Sequence, residues 1–286
     1  MASPVHALRP GVPVLTRAPG VLQVGLTDPR VRLPDRPAIR SLLAALSAPD
    51  GLADVETLSC EQAEALERLL TADLAMPALP ARSVPPGPGL LALTARTGSD
   101  AVRRHAARQA LAVAVHAPAG ARALLDPMLA DAGLTVVAPE DAGVHLLVAN
   151  GPVDRDRLDA WVRASLPHLI VTGDATGVRV GPFVVPGRTA CLRCVDAHES
   201  LRDERLPLLL AQAARQCAQR PPPRDPVLDR LALAWAVRDL TLFAEGDVPS
   251  TWSASVDLGG AAAPELTRWG RHPYCGCAWD GFLDLP

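Results

Sequence analysis

Four of the six cysteines fall into two close pairs, and thiols at such spacing can hold a metal ion, form a redox couple or form disulfides. Cys191 and Cys194 make a CxxC motif, and Cys275 and Cys277 make a CxC motif further along the sequence. Two close thiol pairs separated by a long insert usually assemble a four-cysteine zinc site. We therefore interpret Cys191, Cys194, Cys275 and Cys277 as ligands of a structural zinc ion.

Other interpretations of the cysteines stay open at this point. A thioredoxin-like couple would use CxxC alone and would not need the second pair, and the thiols can also be unligated. Catalytic zinc is not expected, because four thiolates leave no coordination position for water. His272 is the one nearby side chain that could replace a cysteine. Cys60 and Cys217 lie in predicted helices, where we expect them to be buried as small apolar residues.

The composition favours an α/β protein. The chain has 286 residues, of which 49% are hydrophobic and only 3% aromatic, so the core must be built mostly from Ala, Leu and Val. Such a core suits helices packed on buried parallel strands. No secretory signal and no membrane-spanning stretch is apparent, so we expect a cytoplasmic protein. A net charge of -3 without a basic block makes nucleic acid an unfavourable partner.

The sequence contains no lysine, so all 28 basic residues are arginines. Schiff-base chemistry, a P-loop lysine and a lysine that binds ATP phosphates are therefore excluded for this chain.

The first part of the chain, residues 1–76, predicts a small module of strands and helices. Short β-branched stretches predict strands at 12–16, 21–24 and 31–33. Apolar periodicity predicts helices at 39–46 and 60–76, and Ser59 with Gln62 forms a capping box for the second helix. Three strands followed by helices are the content of a winged-helix module.

A proline-rich linker and a larger α/β domain follow the module. Residues 77–90 are rich in proline and glycine, which indicates a semi-rigid linker. In residues 91–286 strands alternate with helices, which predicts a Rossmann-like, mainly parallel sheet covered on both faces. The predicted strands are 111–117, 134–138, 144–149, 168–172, 178–185 and 252–258, and the predicted helices are 120–132, 154–166, 206–218 and 226–244.

The cysteine region also resembles a known family. VGPFVVPGRTACLRCVDAH, residues 180–198, followed downstream by HPYCGC, is similar to the ThiF-like cyclodehydratase C proteins that accompany YcaO enzymes in azoline-forming peptide biosynthesis. The likeness covers roughly residues 100–280. It implies a ThiF-like domain that binds a leader peptide for a YcaO partner, and the N-terminal module is similar in layout to the winged-helix peptide clamp fused to such domains. The parent family is commonly dimeric, which implies a homodimer.

The nucleotide-binding pattern of that parent family, the relatives of ubiquitin-activating enzymes, is incomplete here. Those proteins hold ATP and magnesium with a glycine-rich turn, an Arg, a Lys and an Asp. In this chain the turn after the first strand, 116–120, keeps one glycine, and Pro118 removes a backbone donor. The strand ending at Asn150 carries no Asp. ATP and magnesium are therefore not expected, and no catalytic residue is assigned.

Several charged residues near these motifs have structural interpretations. We interpret Arg103, Arg104 and Arg108 as a solvated helix face rather than a nucleotide clamp. Asp174 and Asp196 are expected in turn and helix-cap roles.

Three functions remain in competition. In the first, a non-catalytic recognition protein adds an extended peptide to the sheet edge near Val31 and Leu33, with peptide side chains beside Ala63, Leu66 and Leu70. The alternative role for these five residues is the core of the module. The second function is an adenylyltransferase of the ThiF type, and the third is a structural or regulatory scaffold without a peptide ligand.

Overall fold

The structure is a computed structural model that describes residues 5–78, 87–259, 263–273 and 275–277. The chain divides into two compact units, Met1–Ala106 and Ala107–Pro286. The division lies beyond the predicted linker at 77–90, most of which falls on residues 79–86, outside the described part. In the ranges that are described, no helix combines the length and the apolar character that a membrane crossing requires.

The N-terminal unit contains the three strands and two helices that the sequence predicts, together with short elements that it does not. Its described elements are β1 (His6–Leu8), β2 (Val14–Ala18), β3 (Val21–Val24), β4 (Val31–Pro34), α1 (Pro37–Ser47), α2 (Cys60–Thr71), β5 (Ala75–Pro77) and α3 (Pro88–Thr97). Strands β2, β3 and β4 form an antiparallel sheet in that order, and β1 pairs with β5. The winged-helix arrangement stays a prediction.

Helix α2 shows how local chemistry sets the bounds of an element. At its start the Ser59 hydroxyl accepts from the Gln62 backbone N–H, and the Gln62 side chain accepts from the Ser59 N–H, so the predicted capping box is confirmed. At its end Asp73 adopts a φ of 52°, and Leu74 N–H bonds back to the Leu69 carbonyl. This hydrogen bond satisfies a carbonyl in the last turn of α2 and ends the helix. The predicted continuation to residue 76 is therefore wrong.

The core of the N-terminal unit lies between its sheet and its helices. In a strand, alternate side chains face the same side, so Val31 and Leu33 of β4 both point inward while Arg32 between them is exposed. The buried residues that share this core are Leu22, Val24, Ile39, Leu42, Leu43, Leu46, Ala65, Leu66, Leu69, Leu74 and Ala75. The apolar face of α2 is thus used for packing.

Arginine side-chain bonds tie the segment after the predicted linker to the N-terminal unit. The guanidinium of Arg9 donates to the carbonyl of Ala95, at 2.9 and 3.1 Å, and to the Asp73 carboxylate at 3.3 Å. Leu93 and Thr94 of α3 are buried. These contacts explain why the compact unit extends past the proline-rich residues.

The described part of the C-terminal unit is a seven-stranded mixed sheet with helices. Helix α4 (Ala101–Ala110) crosses the division between the units. The sheet order is β12-β11-β10-β9-β8-β6-β7. The elements are β6 (Ala112–His116), α5 (Ala119–Asp131), β7 (Thr135–Val136), β8 (Val144–Asn150), α6 (Arg155–Arg163), β9 (His168–Gly173), β10 (Gly177–Val184), α7 (Leu192–Glu199), α8 (Leu206–Gln219), α9 (Pro226–Glu245), β11 (Ala254–Gly259) and β12 (Glu265–Arg268).

The strand directions confirm the α/β fold class. Strands β7, β6, β8 and β9 are parallel neighbours, whereas β10, β11 and β12 continue the sheet in antiparallel pairs. Helix α5 connects β6 to β7 and helix α6 connects β8 to β9, the kind of crossover that parallel strands require. The parallel half is the part that the alternating pattern of the sequence predicts.

Both faces of the sheet are covered. Leu146 and Leu147 are neighbours in β8 and both are buried, yet they belong to different core clusters. Leu146 packs in the cluster that includes residues of α5 and α9, and Leu147 packs with Leu158 of α6 and Val195 of α7. A strand buried on both faces has no polar alternation, which is why the middle of β8, residues 146–149, is a continuous apolar run.

Three histidines on adjacent strands pack around Trp161 of α6. The rings of His145, His116 and His168 lie 4.7, 5.0 and 5.4 Å from the Trp161 ring. His116 Nε2 is 3.0 Å from His145 Nδ1, and His168 Nδ1 is 2.9 Å from the carbonyl of Leu166. The Nε2 atoms of His145 and His168 are buried without a hydrogen-bond partner among the described residues. Burial lowers the pKa of both His116 and His168 to about 4.

This cluster predicts acid destabilisation below neutral pH. The folded pKa of His168 is about 4, and that of an unfolded histidine is about 6.5. The unfolded chain therefore binds more protons in this window, and stability present above pH 6.5 is lost as the pH falls towards 4. We expect His168→Gln to flatten the dependence of the unfolding free energy on pH by up to about 1.4 kcal/mol per pH unit. Urea denaturation at several pH values measures this, and an unchanged slope would contradict it.

Candidate functional site

The four predicted zinc ligands come together in one cluster. Cys191 Sγ lies 3.8 Å from Cys194 Sγ and 3.4 Å from Cys275 Sγ, and Cys194 Sγ lies 3.4 Å from Cys277 Sγ. All four sulfur atoms lie within 4.8 Å of one another. Tetrahedral ligands about 2.3 Å from a zinc ion stand about 3.8 Å apart. The donor set and its spacing therefore fit a structural zinc ion, which Cys191, Cys194, Cys275 and Cys277 would hold.

Helix α7, which sequence periodicity does not predict, positions the first pair of thiols. Cys191 is the N-cap residue of α7, and the Cys194 N–H donates to the Cys191 carbonyl at 3.0 Å, so the first helical turn brings both sulfurs to one side. The second pair lies in a turn where Gly276 has a φ of 74°, a conformation that favours glycine. Val184, Ala190 and Trp269 pack around the sulfurs.

His272 supports the cluster through its backbone. Its N–H donates to Cys194 Sγ at 3.3 Å, and its carbonyl accepts from the Cys275 N–H at 3.0 Å. The hydrogen bond with the Cys191 thiol is the largest influence that lowers the pKa of Cys194, and the His272 N–H adds to it. A backbone N–H that donates to a sulfur stabilises its thiolate, which is the form that binds zinc. The cluster of four cysteines forms without the His272 ring.

The other two cysteines lie apart from the cluster. The prediction that Cys60 is buried is wrong, because its position at the start of α2 leaves it exposed. Cys217 of α8 is half-buried, and a side chain on Gly151 would meet its sulfur. Cys60 thus supplies a matched control for substitutions in the cluster.

The five predicted peptide-contacting residues occupy different environments. Val31, Leu33 and Leu66 are buried in the N-terminal core, Leu70 is partly buried against it, and Ala63 is exposed. The side chains of the three buried residues form part of the core of the module, which is the alternative role given in the sequence analysis. Peptide contact can therefore involve the backbone of β4 and the exposed positions of α2, and it stays a prediction.

The register of β4 determines which of its backbone groups face outward. The Asp35 N–H donates to the Gly20 carbonyl at 2.9 Å, and the aligned pairs that follow are Val21 with Pro34, Leu22 with Leu33 and Gln23 with Arg32. Hydrogen-bonded and non-hydrogen-bonded pairs alternate in antiparallel strands. Arg32 is therefore in a non-hydrogen-bonded pair, and its N–H and carbonyl project away from β3. In the described structure no strand pairs with this edge of β4.

Helix α2 contacts this open edge through one side chain. Arg68 Nη2 donates to the Arg32 carbonyl at 2.9 Å, and both side chains are exposed. The outward carbonyl of Arg32 is thus bound by a side chain of α2 rather than by another strand. Sequence patterns did not single out Arg32 or Arg68, although alternation around Val31 and Leu33 places Arg32 outside.

The turn after β6 and the end of β8, where the resemblance implies a nucleotide site, contact other parts of the protein. Pro118 is the N-cap of α5, and Asn150 at the end of β8 donates from Nδ2 to the Pro222 carbonyl at 3.2 Å. Arg224 Nη1 donates to the Ala149 carbonyl at 2.7 Å. The segment after α8 therefore packs on the carboxyl end of β8, where ligands usually bind in open α/β sheets.

Most of the arginines and carboxylates near these elements form ion pairs. Arg103 and Arg104 both pair with Asp100 at 2.7 Å, and Arg103 first, then Arg104, lowers the pKa of Asp100 to about 2. Arg108 is instead buried and paired with Glu245, so the prediction of a solvated face is wrong for this residue. Its long apolar stem allows burial once the charge is paired.

The two carboxylates near the cysteine motif have different roles. Asp174 accepts from the Thr176 N–H at 2.8 Å, which confirms the predicted turn role. Asp196 lies within α7 and binds Arg155 through both oxygens at 2.7 and 2.8 Å, so the predicted helix-cap role is wrong. The pair closes one side of a cavity of about 450 Å³ at the ends of β8 and β9.

Comparisons with known proteins find the fold but no sequence family. No family model and no curated protein matches the chain. The heterocyclase TruD matches with a TM-score of 0.72 at 17% identity, over 96% of this chain and 43% of that chain. A heterocyclase in complex with substrate and cofactor matches with a TM-score of 0.71 at 15% identity, over 98% and 40%. The chain thus spans less than half the length of these heterocyclases.

A second structural neighbour has nearly the same extent as this chain. The crystal structure of Escherichia coli MccB with succinimide matches with a TM-score of 0.61 at 14% identity, over 96% of this chain and 99% of that chain. Identities this low show a shared fold only. The chain therefore has the mixed α/β architecture that the TruD and MccB structures share.

The cysteine cluster predicts a zinc content that depends on each ligand. The purified chain should contain about one zinc ion. Cys191→Ser should lose it, because three thiolates bind zinc more weakly than four. The remaining sulfurs, which are buried or half-buried, would then have no ligand. We expect the Tm to fall by roughly 10 °C, since each kcal/mol is worth about 2–4 °C in a chain of this size. Metal analysis and calorimetry measure both effects. Cys60→Ser should keep its zinc; a zinc-free wild-type protein would contradict the assignment.

Proposed function

We propose that this chain is a non-catalytic recognition protein that binds a leader peptide and presents it to a YcaO-type cyclodehydratase. The observation that carries the proposal is the open edge of β4, where Arg32 directs its N–H and carbonyl away from the sheet. An extended peptide that pairs with this edge would gain main-chain hydrogen bonds, and exposed positions of α2 such as Ala63 would contact its side chains.

The structural neighbours support a role in the biosynthesis of modified peptides. One of the heterocyclases was solved with substrate and cofactor, and MccB was solved together with MccA. We infer that a partner enzyme of the YcaO type supplies the chemistry, and that this chain forms a homodimer, as is common in the family that its cysteine region resembles.

An ATP-dependent adenylyltransferase is the alternative that the site geometry opposes. The chain has no lysine. Asn150 stands at the end of β8 and is bonded to the segment after α8. Arg155 and Arg179, which line the cavity beside it, are paired with Asp196 and with Asp257. These guanidiniums would have to leave their carboxylates before they could bind a triphosphate.

Strand addition predicts that the Arg32 N–H is needed for peptide binding but not for folding. Arg32→Pro removes this donor while the bonds between β3 and β4 remain, because proline is tolerated on an open edge. Peptides selected by the immobilised full chain from a random display library should bind the variant at least tenfold more weakly in fluorescence anisotropy. Its Tm should stay within a few degrees of wild type.

A matched variant distinguishes the two edges of the sheet. Val14 lies on the opposite edge strand, β2, in a non-hydrogen-bonded pair with Val24, so Val14→Pro removes an outward donor there. It should bind the selected peptides like wild type. Equal losses in both variants, or no loss in Arg32→Pro, would contradict binding at β4.

Because the chain has no lysine and the arginines of the cavity are paired, we expect that the zinc-bound protein does not use ATP. Addition of ATP with magnesium should leave the Tm unchanged, because the groups that hold the phosphates are missing or paired. Differential scanning fluorimetry and a pyrophosphate-release assay with the selected peptides measure this. Pyrophosphate release that depends on peptide and on this chain would establish the adenylyltransferase alternative instead.

A further inference from the structure

Arg32 and Arg68 are two exposed arginines at the open edge of β4, and the Arg68 side chain binds the Arg32 backbone carbonyl. No carboxylate of the described residues lies within salt-bridge distance of either side chain, whereas neighbouring arginines are paired. Arg36 binds Glu61 at 3.0 Å, and Arg40 binds Asp35. Two unpaired like charges on a binding edge attract an acidic partner and repel a basic one.

The contact between the two arginines lies where a peptide strand would pair with β4. A peptide strand that pairs with β4 needs the Arg32 carbonyl as an acceptor for one of its own N–H groups. In the free structure Arg68 Nη2 binds that carbonyl at 2.9 Å. A peptide N–H therefore competes with Arg68 for this carbonyl, and an Arg68 guanidinium displaced from it would lie beside the peptide strand.

We propose that the site selects an extended peptide that carries an Asp or Glu side chain beside Arg32, and that Arg68 moves from the Arg32 carbonyl to this carboxylate. The proposal rests on the proposed function and names the substrate class of the same edge. A carboxylate is the acceptor that matches the planar guanidinium best, because it can accept two parallel N–H bonds. Arg68 thus acts as a specificity-determining residue.

The remaining charges of α2 limit where the acidic side chain can lie. Glu64, one helical turn before Arg68, is exposed and forms no ion pair with it, and Glu67 is also exposed. These two carboxylates would repel an acidic peptide residue placed further towards the N-terminus of the helix. The favourable position is therefore beside the Arg32 carbonyl, where the Arg68 guanidinium already lies.

A double-mutant cycle between the protein and the peptide tests this inference. A random display library is selected on the immobilised full chain, and the leading peptide is synthesised with its Asp or Glu intact and with Asn or Gln in its place. The dissociation constants of both peptides are measured for wild type and for Arg68→Gln. We expect enrichment of acidic residues in the selection and about five- to tenfold weaker binding of the amide peptide to wild type.

The variant should remove this discrimination without removing binding. Arg68→Gln should bind the two peptides within about twofold of each other, and added salt should weaken only the acidic peptide on wild type. Arg215→Gln, which changes an exposed arginine of α8, serves as the charge-matched control and should discriminate like wild type. The proposed selectivity would be overturned if the selected peptides were not enriched in Asp or Glu. It would also be overturned if wild type and Arg68→Gln distinguished the acidic from the amide peptide equally. Either result would leave strand addition intact. Failure of the chain to select any peptide would overturn both.

Discussion

The alternation of side chains along β4 is the constraint on which the recognition surface depends. Val31 and Leu33 must face the core of the N-terminal unit, because they pack with residues of both α1 and α2. This fixes Arg32 on the outside, and the antiparallel register then fixes its N–H and carbonyl on the open edge. A shift of one residue would exchange the two faces and bury a guanidinium. The same packing that stabilises the module therefore determines what it presents to a ligand.

In the C-terminal unit, metal coordination by four cysteines would stabilise the fold. A turn of α7 and a glycine-containing turn bring four sulfurs together, and a zinc ion there would join segments that are far apart in sequence. Such a site contributes to stability and leaves no position for catalysis. At the carboxyl end of β8, protein groups satisfy the positions where a ligand would bind. In the described residues Asn150 bonds to the Pro222 carbonyl, and Arg224 bonds to the Ala149 carbonyl.

The sequence predicts those features that depend on local patterns. The capping box of α2, the cysteine cluster and all strands except the short β1, β5 and β12 follow from spacing and residue type. The bounds of α2 required knowledge of the Asp73 backbone, and α7 escaped prediction because its eight residues coincide with the cysteine motif. Arg108 and Asp196 were misassigned for a common reason. Their ion-pair partners, Glu245 and Arg155, are distant in sequence, and only the fold shows that burial is compensated.

Protection of a single amide tests strand addition at β4 most directly. Hydrogen exchange of the full chain, followed residue by residue with and without a selected peptide, reports on the Arg32 N–H, which has no partner strand in the described structure. Pairing with a peptide strand predicts strong slowing of exchange at Arg32 and no change at Val14 on the opposite edge. Unaltered exchange at Arg32 in the saturated complex, or slowing confined to β2, would contradict the account.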